Sequence, residues 1–349
     1  RHGRIMCALF AVLTLMALAA IYVRPATEPH SMGWLYAILA NDPFDLSSKN
    51  PVAYRILAPA ISYLAGLKGQ LILITNLVFA GGLLAAVWLR FRQHQYRPSD
   101  AMVAAFVFAF SQVTLITIYY GGYTDSLTYL IIFLAWWFRN KRVVFYTLLL
   151  IGLLNRESLV FILPWFAFVT YHEAPEKKTW LIDTVVGFGL ILAIYFLFRQ
   201  IVGSAREVEF GVAYYLGPLL ENPRHWLLRS GSNQLLGLFS VFKGYWIFVL
   251  VAMLSMWKKG DRKSVLSILI LLSCTWLQMI FAFDSSRMLT LGFMVMIISL
   301  QHLLIVNPYG FRIWAPVVLL VNFLIPQWYT AARIVERMQS LPAYLHDKM

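Results

Sequence analysis

A multi-pass bundle of transmembrane α-helices is the fold class this sequence predicts, and three observations carry it. Of the 349 residues, 60% are hydrophobic and only 13% are charged, about half the charged share of an ordinary soluble domain. The mean hydropathy is +0.69. Apolar runs of the ~20 residues that a bilayer crossing needs recur along the chain and leave no stretch able to form a soluble domain. The net charge of +13 would point a soluble chain toward nucleic acid. Here the basic residues crowd short loops between apolar runs, which fits cytoplasmic loops against anionic lipid, and no nucleic-acid partner is expected.

Taken in order, the first run (5–23) starts basic and contains "ALAA" at 17–20, features shared with a cleavable signal peptide. Its length favours a retained span. The following stretch, 24–69, reads as a long extracytoplasmic loop. Within it, the "PxxYRxxxP" pattern of 51–66 suits an amphipathic helix on the membrane surface better than a crossing. Spans are then expected at 70–89, 101–120, 126–138, 180–198, 235–257, 264–283, 288–305 and 313–330, with 199–234 as a second outer loop. The run 143–171 is too long for one helix and is cut in the middle, so it reads as a broken hairpin. The whole chain, 1–349, is thus a single transmembrane domain of about 10–11 membrane helices. "RHGR", "RFRQHQYR", "RNKR", "EKK" and "KKGDRK" should face the cytoplasm.

The cut in the hairpin is "LLNRES", where Asn155, Arg156 and Glu157 interrupt an apolar run. A charge in hydrocarbon costs at least ~2.5–3.5 kcal/mol, so this pair needs a polar setting. Each arm of the hairpin is about 18–21 Å long at 1.5 Å per residue, too short to cross a ~30 Å core. Arg156 and Glu157 are therefore expected to face a water-filled pocket opening to the outside. Other polar residues converge on that side: "NDPFD" (41–45), "NPVAYRILAP" (50–59), "YYGGYTD" (119–125) and "FDSSR" (283–287). Each has a plainer reading. Arg156–Glu157 fits a structural ion pair, Asp125 a helix N-cap, Asp284 and Arg287 a local pair, and Asp42–Pro43 a turn.

The outer side also keeps arginines and a lysine, including Lys49, Arg55, Arg199, Arg224, Arg229 and Arg287. Planar guanidinium forks suit phosphate recognition. Tyr54 and Tyr123 border the same region and are suited to stacking on sugar rings, although aromatic belts occur in any membrane protein. The two cysteines, Cys7 and Cys274, lie within apolar runs without disulfide or metal spacing, and the histidines are scattered. No cofactor or metal is expected.

A first span, a long outer loop with "NDPFD", the surface segment "NPVAYRILAPAISYLAG" and many further spans with short outer junctions resemble the GT-C superfamily of membrane glycosyltransferases. The resemblance is one of architecture and covers most of the chain. It implies transfer of a sugar from a polyprenyl-phosphate donor to a hydroxyl of a lipid or glycan acceptor on the extracytoplasmic side, with inversion, in the bacterial inner membrane. It also implies an acidic base in the first outer loop. Asp45 and Asp42 match that placement, with Asp125 in reserve. Arg55, with Arg156, Glu157, Asp284, Arg287, Tyr54 and Tyr123, would form the substrate-binding set. A secondary transporter, a polysaccharide polymerase and a non-catalytic subunit of a membrane complex are the competing readings.

Overall fold

The apolar runs fold as helices because in a lipid setting only a helix or a closed barrel satisfies every backbone N–H and C=O internally. The computed structural model describes residues 2–45, 50–93, 97–206, 235–280, 285–330 and 335–348. In chain order these form α1 (His2–Tyr22), α2 (Gly33–Leu39), α3 (Leu57–Leu64), α4 (Ile72–Gln93), α5 (Pro98–Ala109), α6 (Gln112–Tyr119), α7 (Asp125–Trp137), α8 (Arg142–Asn155), α9 (Leu163–Glu173) and α10 (Lys177–Arg206). Then follow α11 (Leu235–Lys258, with a 3-10 turn at Lys243–Tyr245), α12 (Arg262–Leu277), α13 (Ser285–Leu289), α14 (Met294–Val306) and α15 (Pro308–Leu324). A two-stranded hairpin, β1 (Trp328–Thr330) and β2 (Val335–Arg337), and the short α16 (Leu341–His346) complete the described chain.

Among the described residues, four helices are long and apolar enough to cross a membrane: Gly69–Gln93, Lys177–Gly203, Leu235–Lys258 and Ser286–Val306. The α5–α6 pair, bent by 50°, adds a fifth if it counts as one span. This is the architecture of a multi-pass membrane protein. The outward faces agree, since α10 exposes Leu181, Ile182, Val185, Val186, Leu190 and Leu197, each more than half exposed. So large an unpartnered apolar face belongs against lipid rather than water.

Several elements differ in detail from the sequence expectation. The run 101–120 breaks at Phe110–Ser111, where the Ser111 hydroxyl bonds the Phe108 carbonyl at 2.7 Å and competes with the helical ladder. The run 313–330 is helical only to Leu324 and ends in β1. The helix from Lys177 continues through Arg206, into the stretch read as the second outer loop. The rest of that loop, with Arg224 and Arg229, lies outside the described residues, as do Lys49 and Asp284.

The chain divides into two compact units. One comprises 1–25, 81–119 and 222–349, and the other 26–80 and 120–221. In the second unit the "YYGG" turn packs directly on the start of α2. Gly122 sits at φ +90°, and a Cβ there would lie 3.0 Å from the Cα of Gly33. His30 N–H bonds the Gly121 carbonyl at 3.0 Å. Only glycine permits this backbone and this approach, and the contact fixes the loop before α2 against the entrance to α7.

Candidate functional site

The site grows from the break after α8. Asn155 ends that helix, Arg156 turns extended (φ −157°, ψ 117°), and a 3-10 turn (Glu157–Ile162) leads into α9. A backbone that passes from helical to extended and back sends successive side chains in different directions. Arg156 and Glu157, adjacent in sequence, accordingly take different partners.

Asn155 is fully buried and donates through Nδ2 to the Thr124 carbonyl (2.9 Å) and the Thr128 hydroxyl (2.8 Å), tying the break to the start of α7. Beside it, Arg156 forms an ion pair with Asp125, their side chains 1% and 4% exposed. Asp125 is the first residue of α7, so its carboxylate also meets the positive end of that helix. Burial this deep makes the pair structural: removing either charge strands the other in a low-dielectric interior.

Glu157 points the other way and reaches Arg55, 102 residues distant in sequence. The pairing is a two-point fork. Arg55 Nε donates to Glu157 Oε2 at 2.8 Å and Nη2 donates to Oε1, while Nη1 donates to the Tyr36 hydroxyl. These side chains are 20% and 31% exposed, unlike the inner pair. Burial opposes the charge on Arg55, but the Glu157 carboxylate and the Tyr36 hydroxyl outweigh it and hold its pKa above the ordinary arginine value. Tyr36 is fully buried, and its ring lies 6.2 Å from that of Tyr123, whose hydroxyl accepts from the Met32 N–H at 3.3 Å. A second guanidinium, Arg199 of α10, lies 4.5 Å over the Tyr54 ring and donates to Tyr195 at 3.2 Å. Two cations and four tyrosines thus gather around one partly accessible carboxylate.

The structure brings Arg55, Tyr54, Tyr123, Asp125, Arg156 and Glu157 into one unit with the first-loop acids. Asp42 is exposed and its Oδ1 accepts from the Phe44 N–H at 3.3 Å, the local turn that Pro43 favours. Asp45 is exposed as well. Arg287 belongs to the other unit, in α13, where it is buried. The expected local pair with Asp284 falls outside the described residues. Among the described residues no group of three His, Cys, Asp or Glu side chains is placed to hold a metal ion.

Sequence reasoning selected the charged residues and offered two pairings, Arg156 with Glu157 or each with a partner from 125 or 284–287; the structure pairs Arg156 with Asp125, while the Arg55 partner of Glu157 was missed. The Arg55–Glu157 fork and the Tyr36 contact join segments far apart in the chain. Only Tyr195–Arg199, spaced i, i+4 on one helix face, carried a local signal. Compared with known proteins, the chain matches no family model and is similar to no curated protein.

Proposed function

We propose that this protein is a membrane glycosyltransferase that moves a sugar from a polyprenyl-phosphate donor to an acceptor hydroxyl on the extracytoplasmic side. The observation that carries the reading is the partly exposed Arg55. Its guanidinium is oriented by Glu157 and Tyr36, with Arg199 on Tyr54 in the same unit and exposed carboxylates in the loop that precedes it.

The chemistry follows from those roles. Asp45, or Asp42 in its place, takes the acceptor hydroxyl proton as the new bond to the anomeric carbon forms and the bond to the donor phosphate oxygen breaks. One displacement inverts the anomeric centre. The leaving polyprenyl phosphate gains negative charge, which a preorganised guanidinium stabilises. Asp125 is set aside as the base because it already neutralises Arg156 in the buried pair.

The test uses purified protein and a panel of polyprenyl-phosphate sugars, following donor binding and transfer separately. Asp45→Asn, alone or with Asp42→Asn, should keep donor binding and lose about 10²–10⁴-fold in turnover, the usual worth of a general base. Arg55→Ala should weaken donor binding. Full turnover in the Asp42→Asn/Asp45→Asn double variant, or no binding of any donor in the panel, would overturn the reading.

A further inference from the structure

The unit formed by 1–25, 81–119 and 222–349 contains a cavity of about 400 Å³ that the proposed chemistry does not use. It lies where α1 and α15 end and is walled by Tyr22, Phe323, Leu324, Gln327, Arg337 and Met338. One polar side chain inside it lacks a hydrogen-bond partner in the protein. Gln327 is only 3% exposed, yet neither its Nε2 nor its Oε1 has a hydrogen-bond partner. A buried amide left without partners is costly, so a native structure keeps one only for a reason. The hairpin also turns Arg337 into the lining, where its guanidinium has no ion-pair partner among the described residues.

The charged group at the cavity wall is a cation, Arg337. Behind Tyr22, the buried Lys243 donates to the carbonyls of Asn322 and Ile325, both at 3.0 Å, and approaches the Tyr22 hydroxyl at 3.4 Å. No carboxylate lines the cavity. The neighbouring Glu336 is engaged by the Tyr119 hydroxyl at 3.1 Å. A site with an arginine fork at its wall, no carboxylate in its lining and an unsatisfied amide selects an anion with a hydrogen-bonding neighbour. Its position at the ends of two apolar helices, with Phe323, Leu324 and Met338 beside the polar groups, matches the level at which lipid phosphates lie.

We propose that this cavity binds a phosphate ester carrying an adjacent hydroxyl. Arg337 takes the phosphate oxygens, and the Gln327 amide donates to the phosphate while accepting from the hydroxyl. A lipid headgroup and a soluble phosphate ester share this chemistry, and the experiment separates them. The full chain in neutral detergent is titrated with glycerol 3-phosphate, with short-chain phosphatidylglycerol and with phosphatidylcholine of the same chain length. Binding is read by native mass spectrometry and by the shift in unfolding temperature. Saturable binding of phosphatidylglycerol over phosphatidylcholine, without glycerol 3-phosphate binding, assigns the lipid source. Binding of glycerol 3-phosphate assigns the soluble one. In either case Arg337→Gln should weaken binding about 10–100-fold, the worth of a charge-assisted hydrogen-bond pair. Gln327→Leu should weaken it without loss of folding. Arg337 is exposed, so its variant is not at risk of misfolding. No saturable binding of either phosphate compound, or binding that both variants leave unchanged, would overturn the proposal. So would a Gln327→Leu protein of raised stability whose parent binds neither compound.

Discussion

Two buried cations, Arg156 in one compact unit and Lys243 in the other, are accommodated in opposite ways. In the unit of 26–80 and 120–221, the buried Arg156 meets Asp125 and the partly exposed Arg55 meets Glu157. In the other unit, Lys243 is 3% exposed and is held by backbone carbonyls and a tyrosine. The carbonyls belong to the end of α15, whose last C=O groups have no partner within the helix. A helix end presents about half a negative charge, so it solvates an ammonium without cancelling it. Arg156 is therefore matched by an opposite charge, whereas Lys243 is held by neutral acceptors.

Breaking the buried pair should give the largest effect. Arg156→Met leaves Asp125 uncompensated and is expected to lower stability by ~3–5 kcal/mol, measured by denaturant unfolding in detergent micelles. The double variant Arg156→Met/Asp125→Leu should recover most of that loss, since a well-packed apolar pair often replaces an ion pair at little cost. A double variant as unstable as the single would show that the pair does more than balance charge.

Lys243→Met tests the other side of the comparison and should be milder. It removes hydrogen bonds to two carbonyls but strands no opposite charge, so the expected loss is about 1–3 kcal/mol. A loss matching that of Arg156→Met would mean that the helix-end carbonyls depend on the lysine as heavily as Asp125 depends on its arginine.

The smallest effect is expected at Arg139–Glu173, a forked pair of similar geometry whose Glu173 side chain is 36% exposed. Glu173→Gln should change stability by no more than about 1 kcal/mol, because water screens exposed pairs. A larger change would show that fork geometry, rather than depth, sets the strength of these pairs.

Much of the molecule was legible in the chain. The α-helical membrane class follows from composition and from the length of the apolar runs, because hydrocarbon leaves a backbone few alternatives. The interruption at Asn155–Glu157 was visible as charge within an apolar run, and the structure ends α8 there. The weight placed on Arg156 and Glu157 likewise rested on how costly such groups are to bury, whereas Arg55 was singled out for its guanidinium's fit to phosphate and Asp125 as a reserve base. What the chain did not disclose was which pairing holds. Arg156 and Glu157 could read as a couple or as partners of groups from 125 or 284–287, and the extended backbone at Arg156 sends one to Asp125, as one of those alternatives had it, and the other to Arg55, which none had. That choice depends on backbone angles set by packing and on partners 102 residues apart, which no local pattern encodes. The terminal hairpin escaped for a related reason. "QWYT" continues an apolar run, and only antiparallel pairing with 335–337 makes it a strand. The cost of burying a charge belongs to the residue itself and is written in the sequence. The partner that offsets the cost is set by three-dimensional proximity, and that only the tertiary structure decided.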